Sequence, residues 1–414
     1  MKQETKFTAH GLAITLLACL LQGSQYISNN AWNYTYAAAY ESWGLTLIQI
    51  GAMASACQLA KSITNFFGGV LIEKFGYKKV LLICATAFAL IPIATVFCYK
   101  SYTALMIIRI LAGAAACAIY AGCNLMAFEN LPPQNRAFAH GLILAGPNVG
   151  IVLASFLIPG LIQSKGWQAG CWAAGGIIML IVVAFAILVK GGGKPEASQK
   201  KEKASDYTKN VLKACFANKN WILGTIANFL IVGTVMGLGT YLVLYLTEEK
   251  GLTLVQAGAI TGATSLVGFF INPLCGVLSD AIHSRKWVTI PSAFLYAFSM
   301  LGFTMFNSMG ALIAMMFIKD STFLSATRPL NVMVAESTPA EYVASTSGIY
   351  NAVSFFGSSF TPLIFGAVLL KTGTYSSMLY TAAALFAVAG VVQLLMKETY
   401  TGKALESKEE AAAE

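Results

Sequence analysis

Charge is scarce in this chain. Only 18 acidic and 27 basic side chains are spread over 414 residues, 11% of the total. A soluble domain carries about 25% charged residues. So few charges cannot cover the surface of a water-soluble protein this long, and the bilayer must supply most of the solvent. Metal-binding patterns are lacking too: the nine cysteines form no CxxC, none pairs with a histidine, and eight fall in or against apolar runs. They read as small apolar packing residues. Histidine occurs three times, at His10, His140 and His283, none of them mid-membrane by sequence, which argues against a histidine proton relay. No Walker motif is present, so ATP is not the expected energy source. No nucleophile–base pair stands in the apolar runs, and the loops are too short for a catalytic domain, so an enzyme is not expected. No cofactor and no nucleic-acid partner are expected. The apolar run after residues 1–8 lacks a small-residue cleavage pattern and reads as a first span, not as a signal peptide.

Hydrophobic residues make up 57% of the chain. A hydrocarbon core needs about 20 apolar residues per helix. Spans of that kind are predicted near 10–37, 47–72, 80–99, 103–128, 137–162, 168–189, 221–246, 254–279, 287–306, 309–335, 343–369 and 376–396. The expected fold is an all-α integral membrane protein with twelve transmembrane helices in two six-helix bundles. The bundles are placed at 1–190 and 221–397, joined by a linker at 191–220 and followed by a tail at 398–414. The linker reads as too polar to bury.

Twelve spans put both termini on one side. If that side is cytoplasmic, it holds 19 of the 27 basic residues, and the outside holds only Lys100, Lys165, Lys250 and Lys371. The positive-inside rule then favours a cell inner membrane protein with both termini cytoplasmic.

The halves repeat. At a constant shift of 207 residues, GLTLIQIGAM (44–53) meets GLTLVQAGAI (251–260), identical at seven of ten positions. In the same register Asn65 meets Asn272, Asn124 meets Asn331, Glu129 meets Glu336, and Pro132 meets Pro339. Two parallel six-helix repeats form a transporter architecture, with the substrate site expected near mid-membrane between them.

Between the second and third spans stands GGVLIEKFGYKK (68–79). It resembles the loop signature of the major facilitator superfamily, matched at Gly69, Glu73, Lys74, Gly76, Lys78 and Lys79. Glu73 stands where the family usually has Asp. A degraded second copy, GVLSDAIHSRK (276–286), retains Gly276, Asp280, Arg285 and Lys286. The glycine is expected to let two helices approach closely. The charges, with Glu129 and Glu336 as further partners, are expected to latch the cytoplasmic side. The fourth span carries RILAGAAA, similar to the family's Arg-x-x-x-Gly at Arg109 and Gly113. AGPNVG in the fifth span resembles the Gly-Pro motif of proton-coupled antiporters at Gly146, Pro147 and Gly150. The resemblance covers essentially the whole chain and implies that spans one, four, seven and ten line a central cavity.

Five ionisable groups fall within spans: Lys61, Arg109, Lys319, Asp320 and Arg328. Such groups are costly in lipid and mark function. At about 100° per residue, Arg109, Gly113, Ala116, Tyr120 and Asn124 share one face. Asp320, Thr327 and Asn331 share another, flanked by Lys319 and Arg328. Gln22, Gln25, Tyr26, Asn29, Asn33 and Tyr36 form a polar stripe on the first span, which belongs against water and not lipid. Four bases against one acid favour an anionic substrate. A small organic anion, a carboxylate above all, is expected, with Arg109 as its direct ligand because the guanidinium fork matches a carboxylate. Lys61, Lys319 and Arg328 are secondary ligands. Tyr26, Asn29, Asn33, Tyr36, Tyr120, Asn124 and Asn331 shape the pocket. Asp320 either carries a coupled proton or forms a permanent pair with Lys319 or Arg328. Two modes of action remain open: proton symport or anion exchange by a monomer in the bilayer, and proton-coupled efflux of lipophilic compounds or metabolites.

Overall fold

The computed structural model describes residues 9–131, 135–189, 204–339 and 341–400. The expectations placed on residues 1–8, on the linker up to residue 203 and on the tail beyond Tyr400 lie outside them, as does Pro132. Among the described residues every regular element is helical. In chain order these are α1 (Ala9–Ala39), α2 (Leu47–Phe75), α3 (Tyr77–Cys98), α4 (Tyr102–Ala115), α5 (Ile119–Asn130), α6 (Arg136–Lys165), α7 (Trp167–Leu188) and α8 (Ala204–Ala217). They continue with α9 (Lys219–Leu244), α10 (Leu254–Ser265), α11 (Val267–Ala281), α12 (Lys286–Met305), α13 (Met309–Glu336), α14 (Val343–Gly357), α15 (Thr361–Thr372) and α16 (Tyr375–Leu394). A π-helical turn, Tyr245–Glu249, extends α9.

Ten stretches are long and apolar enough to cross a bilayer on their own. The α4–α5 and α14–α15 pairs each count as one broken span among them. Lys61, Glu73 and Lys74 dilute α2, and a break at Leu266 divides α10 from α11. These two complete the twelve expected spans.

The described residues cluster into two compact units. One contains residues up to 189 with 237–266 and 359–375; the other contains 204–236, 267–339, 341–358 and 376–400. In the first unit, α1 lies against α6 because both are glycine-lined at the contact. A Cβ on Gly23 would stand 2.9 Å from the Gly146 carbonyl oxygen, and one on Gly150 would collide with the Gly23 backbone. Packing of small residues is the usual device for helix association in lipid, and Gly146 and Gly150 serve it here. The end of α9, α10 and α15 also pack within this unit. Tyr241 Oη donates to the Leu47 carbonyl at 2.8 Å and lies 3.1 Å from that of Pro362. Tyr34 Oη bonds Ser155 at 2.8 Å and Thr261 at 2.7 Å.

In the second unit, Tyr296 of α12 stacks flat on Phe386 of α16, with ring centroids 3.5 Å apart. Part of the expected linker is ordered: α8 buries Val211 and Cys215 against Trp221, Val334 and Tyr350. The linker is lysine-rich in sum, but its second part places apolar residues four apart, and that spacing makes one buried helix face. Asn218 then caps α9, its Oδ1 accepting from the backbone N–H of Asn220 and Trp221 at 2.9 and 3.2 Å.

Candidate functional site: a buried cation held against the first helix

The polar stripe of α1 is where the first unit holds its membrane cations. Lys61 of α2 donates to Gln25 Oε1 at 3.3 Å, and its ammonium lies 5.8 Å from the Tyr26 ring centroid. Arg109 of α4 donates through Nη1 to Asn29 Oδ1 at 3.2 Å and sits 5.0 Å over the ring of Trp32. Gln25, Asn29, Trp32 and Tyr36 follow one another at spacings of four, three and four, so one helix face carries all these contacts. Tyr36 is completely buried, and its hydroxyl feels the Arg109 charge. Asn33, on the flank of that face, donates to the Gly239 carbonyl at 3.2 Å.

Arg109 is 5% exposed, and no described carboxylate lies within ion-pair distance of it. Its Nε has no hydrogen-bond partner; neither do the buried Tyr36 hydroxyl and Trp32 Nε1. An unpaired buried charge costs several kcal/mol, and each orphaned neutral donor costs about 1–3 kcal/mol. One amide oxygen and one ring face offset only part of that. The arrangement is short of negative charge and rich in donors, which is the chemistry of an anion site. Sequence reading missed Trp32 in it, although its position three residues after Asn29 and four before Tyr36 carried the signal.

The face predicted below Arg109 does not continue as one helix. The α-helix breaks at residues 116–118, between α4 and α5. Gly113 sits against the Cys57 backbone of α2, where a Cβ would collide. Past the break, Tyr120 is largely exposed, and Asn124 turns to α6, its Oδ1 2.7 Å from His140 Nδ1. The uniform 100° step that puts Tyr120 and Asn124 on the Arg109 face does not hold across the break.

In the second unit, Lys319 and Asp320 form an ion pair, with the Lys319 side chain buried. Lys319 is one of the two partners that the sequence offers Asp320. Asp320 lies within electrostatic reach of the buried Tyr296 hydroxyl on α12. Arg328 lies within electrostatic reach of Cys275 on α11, whose Sγ is 3.1 Å from Ser325 Oγ. Asn331 Oδ1 accepts from Tyr350 Oη of α14 at 2.7 Å.

The loop motif is assembled in its degraded copy. Arg285 bridges Asp280 at 2.7 Å and Glu336 at 3.2 Å. Burial lowers the Arg285 pKa, but the two carboxylates outweigh it and hold the guanidinium above its ordinary range. Thr399 Oγ1 donates to the other Glu336 oxygen at 2.7 Å. In the first copy, Glu73, Lys74 and Lys78 form no ion pair with a described residue, and Glu129 accepts a hydrogen bond from Tyr77 instead. The close approach expected at Gly69 and Gly276 is absent, since both face open space. Gly68 makes it instead, against the backbone of Cys117 at the α4–α5 break. Gly76, at φ +79°, ends α2 and begins α3 in a conformation that favours glycine. The described residues hold no cluster of three or more potential metal ligands, and all nine cysteines are free thiols, seven of them buried.

The Major Facilitator Superfamily profile matches residues 18–362. The chain belongs to the Major Facilitator Superfamily. It is a transporter and not an enzyme. Among curated relatives, the gallate transporter of Pseudomonas putida is 27% identical over 86% of this chain and 84% of its own length. A probable sulfoacetate transporter of Cupriavidus necator is 22% identical over 100% of this chain and 99% of its own. Among solved structures, a nucleoside transporter superposes with a TM-score of 0.75 at 16% identity, over 92% of this chain and 98% of that one, and so shares the fold.

Proposed function

We propose that this transporter carries a small organic anion, a carboxylate, across the inner membrane by alternating access, with both termini in the cytoplasm. The observation that carries the reading is Arg109: a buried guanidinium without an acidic partner, ringed by the unsatisfied donors of Trp32 and Tyr36. A carboxylate entering there supplies the missing charge and accepts two or three of these hydrogen bonds at once. Lys61 adds a second positive charge along the same helix and raises the local anion concentration. The names of the relatives support the class, since gallate and sulfoacetate are both carboxylates. Lys319 and Arg328 are proposed as secondary ligands, and transport runs either as proton symport or as exchange against another anion.

Purified protein in liposomes tests this directly. Uptake of labelled aromatic and short aliphatic carboxylates is measured with an imposed pH gradient, and again with a trapped counter-anion. Arg109→Gln is expected to lower uptake by at least about 100-fold, the cost of removing a buried charge–charge contact. Arg109→Lys is expected to recover little, because the fork is lost. Undiminished carboxylate uptake by Arg109→Gln would overturn the assignment.

A further inference from the structure

The ordered part of the linker carries apolar surface that the protein leaves uncovered. Val211 and Cys215 fix α8 to the second unit, but Leu212 is 41% exposed and Phe216 67%. Lys209 and Lys213 are exposed as well. At about 100° per residue, three stripes follow one another round the helix. Val211 and Cys215 face the protein, Leu212 and Phe216 come next, and Lys209 and Lys213 lie beyond them. The exposed Asn210 and Ala217 follow on the side away from the protein.

A helix surrounded by water has no use for an apolar stripe set between its packed face and its lysines. A helix lying in the surface of a bilayer does: its apolar residues enter the boundary of the acyl chains, and its lysines meet the headgroups. The position of α8 fits such a surface. It ends one residue before α9, the seventh span, and that residue, Asn218, caps α9. The Phe216 ring lies 6.2 Å from that of Trp221, in the first turn of α9, and tryptophan gathers where hydrocarbon gives way to headgroups. Charge then selects the lipid. Residues 207–219 contain Lys209, Lys213 and Lys219 and no acid, and all three lysines are exposed. Basic groups on an amphipathic helix beside a span are drawn to an anionic leaflet.

We propose that α8 is a docking surface for anionic phospholipid. Leu212 and Phe216 enter the acyl boundary, and Lys209 and Lys213 hold the headgroup phosphates. In the orientation proposed above, the lipid belongs to the cytoplasmic leaflet. Carboxylate binding at Arg109 plays no part in this contact.

Amide hydrogen exchange over residues 204–217 tests it, on full-length protein in nanodiscs of phosphatidylcholine alone and of phosphatidylcholine mixed with phosphatidylglycerol. Exchange is expected to slow roughly 10- to 30-fold when phosphatidylglycerol is present, the effect of about two lysines at an anionic surface. About 1 M salt, which shortens the Debye length to about 3 Å, is expected to abolish the gain. Lys209→Gln/Lys213→Gln is expected to lose it, and Lys209→Arg/Lys213→Arg to keep it. Leu212→Ser/Phe216→Ser is expected to speed exchange in both kinds of nanodisc. The lysine variants alter only exposed side chains, so they decide the matter even if the apolar pair is needed for α8 to fold. Equal exchange in the two lipids overturns the proposal, as does a gain that survives Lys209→Gln/Lys213→Gln. A gain shared equally by α9 overturns local docking. Slowing by inorganic phosphate in phosphatidylcholine nanodiscs, or slowing in detergent that grows with protein concentration, overturns the lipid as occupant in favour of a free anion or a second copy of the chain.

Discussion

The guanidinium of Arg109 rests on the face of Trp32, 5.0 Å from its ring centroid. That contact desolvates the cation without neutralising it and leaves its charge available to a ligand. A cation–π contact of this kind is worth about 1–2 kcal/mol when buried. Trp32→Leu is therefore expected to raise the half-saturation concentration of a carboxylate substrate roughly 5- to 30-fold in liposome uptake. Trp32→Phe, which keeps a ring face and loses the indole N–H, is expected to fall between it and the wild type.

Adjacent glycines in α2 make opposite predictions. A Cβ on Gly68 collides with the Cys117 backbone, which has no flexible side chain to yield, whereas a Cβ on Gly69 meets nothing within 4 Å. Gly68→Ala is expected to lower the melting temperature in detergent by several degrees, in line with an overpacking cost of about 1–3 kcal/mol. Gly69→Ala is expected to be neutral or slightly stabilising, since alanine is the better helix former by about 1 kcal/mol. Equal losses from both would contradict the placement of α2 against the α4–α5 break.

Much of the fold was legible because bilayer thickness fixes helix length, so each run of about 20 apolar residues reads as one span. The α1 stripe was legible as well: polar residues recurring every three or four positions in an apolar run have few physical uses. What escaped the sequence followed from local breaks and from three-dimensional choice. Nothing in AAACAIY (114–120) announces the helix break at 116–118, and a uniform helical step does not carry across it. Gly68 and Gly69 are one residue apart, and only packing decides which faces the neighbour. The polar composition of the linker concealed the two-sided pattern of α8.

The Lys319–Asp320 pair admits a clear test of its role. Lys319 is 7% exposed, so neutralising its partner strands a buried ammonium. Breaking such a pair from one side costs about 3–5 kcal/mol, whereas removing both charges is often nearly neutral. Asp320→Asn is expected to reduce thermal stability sharply, and Lys319→Gln/Asp320→Asn to restore most of it. Proton-driven uptake then separates the two roles of Asp320. Recovery of transport in the double variant marks a structural pair; loss of pH-driven uptake while exchange against a trapped counter-anion persists, which shows that the substrate still binds without Lys319, marks a proton carrier.

Glu398 fastens the segment after α16 to the start of α12. It accepts from the Ser284 hydroxyl, from the Arg285 and Lys286 backbone N–H groups at 3.1 Å each, and from the Tyr400 N–H at 3.1 Å. Burial raises the Glu398 pKa, but these hydrogen bonds outweigh it and leave the carboxyl below its ordinary range. A carboxylate depressed in the folded state stabilises fully above its unfolded pKa of about 4.3 and loses that contribution as pH falls through the lower folded value. The attachment is therefore expected to be indifferent to pH between 5 and 8 and to release only in stronger acid, which pulsed hydrogen exchange over residues 394–400 measures. Glu398→Gln removes the charge at every pH and is expected to speed tryptic cleavage after Lys397 at neutral pH. It is also expected to loosen Arg285, which stands 5.2 Å from the Tyr400 ring and holds Asp280 and Glu336 together. Cleavage at the wild-type rate in Glu398→Gln would show that the segment is held by Lys286, whose Nζ donates to the Leu394 and Met396 carbonyls at 3.1 and 2.7 Å, and not by the carboxylate.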